Sequence, residues 1–411
     1  MGVGMGDGFL TRWQGNPLEA LLGAENGANF LSAIFERDFC LSRGSTADRF
    51  AGLVTLADVD RIVTGTDLKD GDVVLANAGS GHTDVGAYVD GGGFVDRAAI
   101  ARFYREGSTV IVNQAQRFLP ALGQLCQGME HIFSCHVQTN LYLTPPGQQG
   151  FATHFDNHDV FVIQVEGEKA WRLLGVPLDL PFRGEKFDST AHASGELREE
   201  FTLHAGDCLY VPRGMMHDAA TSGDAPSLHI TVGLINKTWA DLLLEAVAEA
   251  ALRLPDLRAS LPPGFARGDF DRAATRATLT NLLQQLAANV TLDPALDLLI
   301  DQHIRSRAAV NAGSLIDRTR PIAPDEPLIR VAEAAARLAR EGEGWCLIVP
   351  GGDADFPTEA GAVLARAMDG GACTLAELCA VAGNQMSDDA VEDLTRRLMD
   401  YGLLRRAAMG A

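Results

Sequence analysis

The stretch 151-FATHFDNHDVFVIQVEGEKAW-171 decides how this chain is read. It sets two histidines and two aspartates at the head of an otherwise apolar run, and a buried strand carries such polarity only where something satisfies it. In an extended strand, residues i and i+2 project from one face, so His154 and Asp156 present an imidazole and a carboxylate to one point. The β-branched and aromatic run that follows, the glycine at 167 and a second apolar stretch through Trp171 predict a strand, a turn and a returning strand. A helical alternative would make His154 and His158 an i, i+4 zinc pair, but Phe155 stands where the metalloprotease base belongs.

Spacing alone is a weak signal. With ten histidines and 54 acidic residues in 411 positions, about one such pair arises by accident, and a second exists in His82 and Asp84. That second pair sits in 76-ANAGSGHTDVGAYVDGGGFVD-96, a glycine-rich tract read as hairpin connections with no adjacent strand to hold it, so it is assigned to a loop. The tract also lacks the GK[ST] of a phosphate-binding loop.

A third ligand comes from 200-EFTLHAGDCLYVPRGMMHDAATSG-223, which reads as strand, Gly206-Asp207 turn, apolar strand, a bend at Pro212-Arg213-Gly214, then His217. His158, His204 and His229 are read as hydrogen-bonded structural histidines. Two imidazoles and one carboxylate occupy one triangular face of an octahedral metal and leave three positions open, the arrangement of non-haem Fe(II) oxygenases. A structural zinc site would close the shell instead. Three open positions suit a chelating co-substrate such as 2-oxoglutarate plus dioxygen. The far carboxylate of that co-substrate needs a fixed cation, and Lys169, on one strand face with Trp171 and Leu173, is the candidate. Asn140 and Tyr142 share a face in 139-TNLYLTP-145 and are candidates to hydrogen-bond the co-substrate or orient the substrate.

The rest of the chain supplies the frame. From 136 to 235, short β-like runs separated by Gly, Pro and Asp predict an antiparallel sandwich or barrel. After Asn236 the apolar period becomes helical, through 238-TWADLLLEAVAEAALRL-254 and onward to about 312. A proline-bearing linker, 318-RTRPIAPDEP-327, leads to a tail that reads as helix, turn, helix and short strand, with Ser387 as an N-cap and Gly402 as a stop. Charge favours a structural winged-helix-like module over a DNA reader: ten Arg and no Lys against fifteen Asp and Glu from 318 to 411 leave the tail anionic, and its would-be recognition helix opens SDDAVED.

Composition narrows the class further. A net charge of −20 repels nucleic acid and anionic lipid and favours a cationic partner. Seven scattered cysteines without a CxxC pair fit reduced thiols. The N-terminal MGVGMGDGFLTRW has no basic start before an apolar stretch, Gly6 breaks the myristoylation pattern, and no run of eighteen apolar residues occurs, so a cytoplasmic protein without a membrane segment is expected.

The run 140-NLYLTPPGQQGFATHFDNHDVFVIQVEGEKAWRL-173, with 206-GDCLYVPRGMMHDA-219 and 227-SLHITVGL-234, resembles the JmjC family of Fe(II) and 2-oxoglutarate oxygenases, specifically the bacterial cupin-like group of ribosomal oxygenases. The resemblance implies a mainly β double-stranded β-helix (jelly-roll, cupin-type) catalytic domain with added helices over 1–235. It further implies a helical dimerisation module over 236–312 and a winged-helix-like domain over 313–411. It puts His154, Asp156 and His217 in the iron-ligand places, Lys169 in that of the cation for the distal carboxylate, and Asn140 and Tyr142 near the co-substrate. It implies a homodimer and a protein or peptide substrate, an arginine or histidine of a ribosomal protein. A natural-product precursor peptide and N-methyl-lysine demethylation remain open beside it. The segment 36-ERDFCLSR-43 departs from the family's proline-containing lead into its first strand.

Two rivals from other classes fare worse. A cupin isomerase or a dioxygenase without 2-oxoglutarate would carry an HxH pair, and none occurs. A ligand-sensing transcription regulator would need a cationic tail.

Overall fold

A computed structural model describes Trp13 and residues 16–79, 81–309 and 315–407. The stretch through Arg12 and the domain boundary drawn at 312 lie outside the described residues. The chain divides into two compact units, Met1–Asn236 and Lys237–Ala411.

The first unit is mainly β. Its strands are β1 (Cys40–Ser42), β2 (Val73–Asn77), β3 (Gly81–His82), β4 (Thr109–Val112), β5 (His136–Thr144), β6 (Asp159–Glu166), β7 (Glu168–Leu173), β8 (Glu199–His204), β9 (Cys208–Val211), β10 (His217–Thr221) and β11 (Ser227–Ile235). An eight-stranded sheet runs β1-β9-β6-β11-β5-β4-β2-β3, and a three-stranded sheet runs β10-β7-β8. Among the described residues, helices α1 (Pro17–Leu22), α2 (Ala24–Asn29), α3 (Leu56–Gly65), α4 (Arg97–Arg105) and α5 (Pro120–Phe133) belong to the same unit.

Strand β6 shows why the apolar run has no polar alternation. Phe161 and Ile163 join the large core with Leu122, Leu125 and Met129 of α5, while Val160 and Val162 join a second cluster with Trp171, Leu173 and Leu203 of the smaller sheet. Both faces of the strand are therefore buried, and period-two geometry sends alternate residues to two different cores. The hairpin to β7 turns at Gly167, whose φ of 66° lies in the left-handed region, and a side chain there would run into the Pro226 carbonyl.

The second unit opens with α6 (Trp239–Arg253), α7 (Arg272–Asn289) and α8 (Leu292–Arg305). A capping box of Thr238 and Asp241 starts α6. The remainder comprises β12 (Leu328–Arg330), β13 (Arg337–Glu341), β14 (Gly344–Val349), β15 (Gly352–Phe356), α9 (Gly361–Met368), α10 (Leu375–Ala382), α11 (Asp388–Asp400) and β16 (Leu404–Arg406). The helix, turn, helix and strand expected in the tail are α10, α11 and β16, with Ser387 capping α11 through the Ala390 amide. The sheet β13-β14-β15 is a feature the composition conceals, because 331-VAEAAARLAR-340 favours helix. Tertiary pairing overrides that preference: β13 hydrogen-bonds along β14, and Arg337 forms a two-pronged ion pair with Asp301 of α8 at 2.6 and 2.7 Å. Among the described residues no helix is long and apolar enough to cross a membrane.

Candidate metal centre

His154 and Asp156 lie in the segment that leads into β6, and His217 opens β10. Two antiparallel bridges join the segments, at Gln149–Ala220 and at His154–His217, the latter with the His154 amide donating to the His217 carbonyl at 3.0 Å and the His217 amide donating back at 2.8 Å. The Gly214 amide donates to the Asp156 carbonyl at 2.9 Å, so the bend after Pro212 is fastened to the same segment. One ligand atom from each of the three side chains falls within 4.8 Å of the others. His154 Nε2 lies 4.0 Å and His217 Nε2 lies 3.7 Å from the Asp156 carboxylate.

The ring orientations match this convergence. His154 Nδ1 meets the Ala152 carbonyl at 2.9 Å, and His217 Nδ1 meets the Met215 carbonyl at 3.0 Å. A carbonyl accepts only, so each Nδ1 carries the hydrogen and each Nε2 keeps its lone pair for a metal. Burial, followed by the nearby His154, lowers the His217 pKa and keeps that imidazole neutral. Burial opposes charge on Asp156, yet the imidazoles of His158, His217 and His154 outweigh it and hold the carboxyl below its usual range. Two neutral nitrogens and one carboxylate are the donor set an Fe(II)-type cation takes, so the residues fit the group.

The three side chains open on a cavity of about 490 Å³ that also receives Lys169, Tyr142, Trp171, His229 and Thr231. Lys169 is 3 % exposed, and burial lowers its pKa to about 7. Among the described residues no carboxylate pairs with its ammonium. On β7 it alternates inward with Trp171 and Leu173, as the sequence predicts. Leu173 pairs with His217 across β7 and β10, and Lys169 lies four residues further along, about 13 Å by strand rise. The lysine stem and a short dicarboxylate together span such a gap.

Tyr142 lines the cavity, and Asn140 does not. The side-chain Oδ1 of Asn140 accepts from the Gln114 backbone amide at 3.0 Å, and the same side chain hydrogen-bonds Tyr142. Asn140 thus reaches the cavity through the phenol. His82 departs from the loop assignment: it lies on β3, paired with Ala76 of β2, and borders the cavity with its ring 5.3 Å from that of Phe151. The edge pairing with β2 holds it there, a contact invisible in the glycine-rich sequence around it.

His229 departs from a purely structural role too. Its ring stacks on Tyr142 at 4.7 Å and 6°, it lines the cavity, and its buried Nδ1 has no hydrogen-bond partner among the described residues. The signal was its pairing opposite Tyr142, which only the strand register reveals. Phe187, from the connection between β7 and β8, is a further lining residue that no motif marked. His204 is an exposed partner of Glu168 at 3.2 Å. A second potential ligand group, Glu341, Cys346 and Asp355, lies on β13–β15, where the thiol packs into an apolar cluster with Ile304 and Ile348.

Comparison with known proteins agrees with this geometry. Residues 111–242 match the JmjC domain. The chain is 32% identical over 311 residues to the bifunctional lysine-specific demethylase and histidyl-hydroxylase NO66 of Drosophila mojavensis, covering 71% of this chain and 34% of that protein. It is 34% identical over 273 residues to ribosomal oxygenase 1 of Gallus gallus, covering 60% of this chain and 44% of that one. The chain spans about a third to a half of the length of these curated relatives. Among solved structures, the Escherichia coli ribosomal oxygenase YcfD matches with a TM-score of 0.52 at 16% identity, over 93% of this chain and 99% of that one. Another structure of that enzyme, in complex with cobalt and 2-oxoglutarate, matches with the same TM-score at 15% identity, over 94% of this chain and 99% of that one. The converging donors, the antiparallel double-sheet core and the domain match together place the chain in the JmjC family.

Proposed function

We propose that this protein is an Fe(II)- and 2-oxoglutarate-dependent oxygenase that hydroxylates a side chain of a protein or peptide, an arginine or histidine of a ribosomal protein. The observation that carries the reading is the buried ammonium of Lys169, without a carboxylate partner among the described residues, opening on the same cavity as three converging metal donors. A buried unpaired cation is costly, and a dianionic co-substrate removes that cost. His154, Asp156 and His217 would hold the iron, and Lys169 the far carboxylate. When bound, the iron supplies the redox chemistry that couples oxidation of 2-oxoglutarate to succinate and carbon dioxide with insertion of oxygen into a substrate C–H bond.

The chain's own groups would bind, orient and exclude water. Burial, with the Asp156 charge behind it, raises the Tyr142 pKa, so the phenol keeps its proton and serves as a donor to an anion. Phe151, Trp171 and Phe187 supply apolar wall to the cavity, which lowers the local dielectric and strengthens each polar contact inside it. Similarity to a histidyl-hydroxylase and to a ribosomal oxygenase supports the substrate class, and the chain's net charge of −20 suits a basic partner.

The deciding experiment compares the proteomes of a deletion strain and its parent. A ribosomal peptide that loses the mass of one oxygen atom in the deletion supports the proposal, and an unchanged ribosomal set overturns the substrate. The NO66 name also carries lysine-specific demethylase activity, and formaldehyde release from an N-methyl-lysine peptide would move the assignment there.

The pH dependence follows from Lys169. Burial depresses its pKa to about 7, while a bound carboxylate favours the charged form. Binding therefore takes up a proton above pH 7. The KM for 2-oxoglutarate is expected to stay flat below about pH 6 and to rise up to about tenfold per unit well above 7. Initial-rate titrations of 2-oxoglutarate across pH 6 to 9 check it.

A homodimer through the helical module 236–312 belongs to the same reading, as does a cytoplasmic location, which seven scattered cysteines without a CxxC pair suit. Helix α7 buries none of its residues, and Trp239, Leu243 and Leu244 of α6 with Leu279 and Leu283 of α7 are 55 to 79 % exposed. Apolar helical faces of this kind need a partner. Light scattering on the full chain should give twice its mass, and Leu279→Glu with Leu283→Glu should give one chain's mass.

A further inference from the structure

The two segments that bear the metal donors meet through a backbone ladder of isolated contacts, the His154–His217 and Gln149–Ala220 bridges and the Gly214 amide on the Asp156 carbonyl, and a site that must hold three donors within a few tenths of an ångström needs its side chains held as well. A second fastening lies beside it. Thr153 precedes His154 and Asp218 follows His217, so the antiparallel bridge sets Thr153 and Asp218 next to each other. The Thr153 hydroxyl donates to Asp218 Oδ2 at 2.6 Å. Arg172 grips the same carboxylate with two prongs, Nε to Oδ1 at 2.9 Å and Nη2 to Oδ2 at 2.8 Å. Asp218 is 5 % exposed, and both of its oxygens are engaged. Arg172 pairs with Asp218 in the strand register of β7 and β10, and β7 is also the strand of Lys169. Thus one buried carboxylate ties together the segment of His154, the strand of His217 and the strand of the cation.

We infer that Asp218 is a positioning residue, which with Thr153 and Arg172 clamps the two ligand-bearing segments at the spacing the metal requires. The inference rests on the reading of His154, Asp156 and His217 as metal ligands. Thr153 and Asp218 also border the cavity, but both oxygens of the carboxylate are already bonded within the clamp. The clamp is made by protein groups alone, so its effect on metal binding needs no co-substrate. Partners of this outer kind are worth about 10- to 100-fold in metal affinity.

The test titrates cobalt(II) into the metal-free full chain without 2-oxoglutarate, following the visible d–d bands, with a melting curve for each metal-free variant. Thr153→Val keeps the shape and removes the hydroxyl, and it is expected to weaken cobalt binding about tenfold. Thr153→Ser keeps the hydroxyl and is expected to bind within about twofold of the parent. Asp218→Ala should weaken binding by about 100-fold. A merely structural ion pair would lower the melting temperature and leave cobalt affinity and band shape unchanged in the folded variants. Parent-like affinity in Thr153→Val, or equal weakening in Thr153→Ser, overturns the clamp even if Asp218→Ala does not fold. A parent chain that binds no cobalt overturns both the clamp and the functional reading on which it stands.

Discussion

Replacing Asp156 with Ala is expected to abolish 2-oxoglutarate turnover, a loss of about a thousandfold or more in succinate formed, equivalent to about 4 kcal/mol. Asp156 supplies the only anionic donor of the three. Its carboxylate stands 4.0 Å from His154 Nε2 and 3.7 Å from His217 Nε2, between two rings whose Nδ1 hydrogens are committed to backbone carbonyls. Without it, two neutral imidazoles remain, and a doubly charged cation loses both a ligand and half of its charge compensation. The substitution should not unfold the protein, because the Asp156 side chain is 30 % exposed and the link to Gly214 is made by its backbone carbonyl. A melting curve close to the parent's, together with lost cobalt binding and lost succinate, is the expected pattern. Undiminished succinate formation in Asp156→Ala would remove the proposed metal centre.

Lys169→Ala is expected to raise the KM for 2-oxoglutarate by about 100-fold, near 3 kcal/mol, with a much smaller change in kcat at saturation. The far carboxylate of a bound co-substrate is remote from the reacting atoms, so the contact is equally present before and during reaction, and its loss appears in KM. Removing a buried cation with no partner should leave the apo protein at least as stable, which separates loss of binding from loss of fold. The variant should also lose the rise of KM with pH, since the titrating group is gone. An unchanged KM, or a persistent pH slope, would sink the assignment of Lys169.

Much of the site was legible because strand geometry is local. Once 159–166 is a strand, its apolar run and the returning β7 fix which side chains turn inward, and Lys169, Trp171 and Leu173 do so. Convergence of His217 with the 154/156 pair needed only a strand, a bend and a return. The misread residues share a different cause. His82 is held by pairing at a sheet edge, and His229 faces the cavity because of the register of β11 against β5. Between β11 and β6 the register shifts at Leu228/His229, so even correct strand assignments would not have shown what His229 meets on that side.

From the sequence by itself came the strand periodicity, the three metal donors, the inward lysine, the helical period after 236 and the anionic tail, since each is set by neighbours in the chain or by composition. Tertiary structure alone decided the cavity's other walls, the strand hidden in an alanine-rich segment and the Thr153–Asp218–Arg172 clamp. Those depend on which distant strands pair and in what register, and non-local hydrogen bonding settles that where local preference is silent or points the other way.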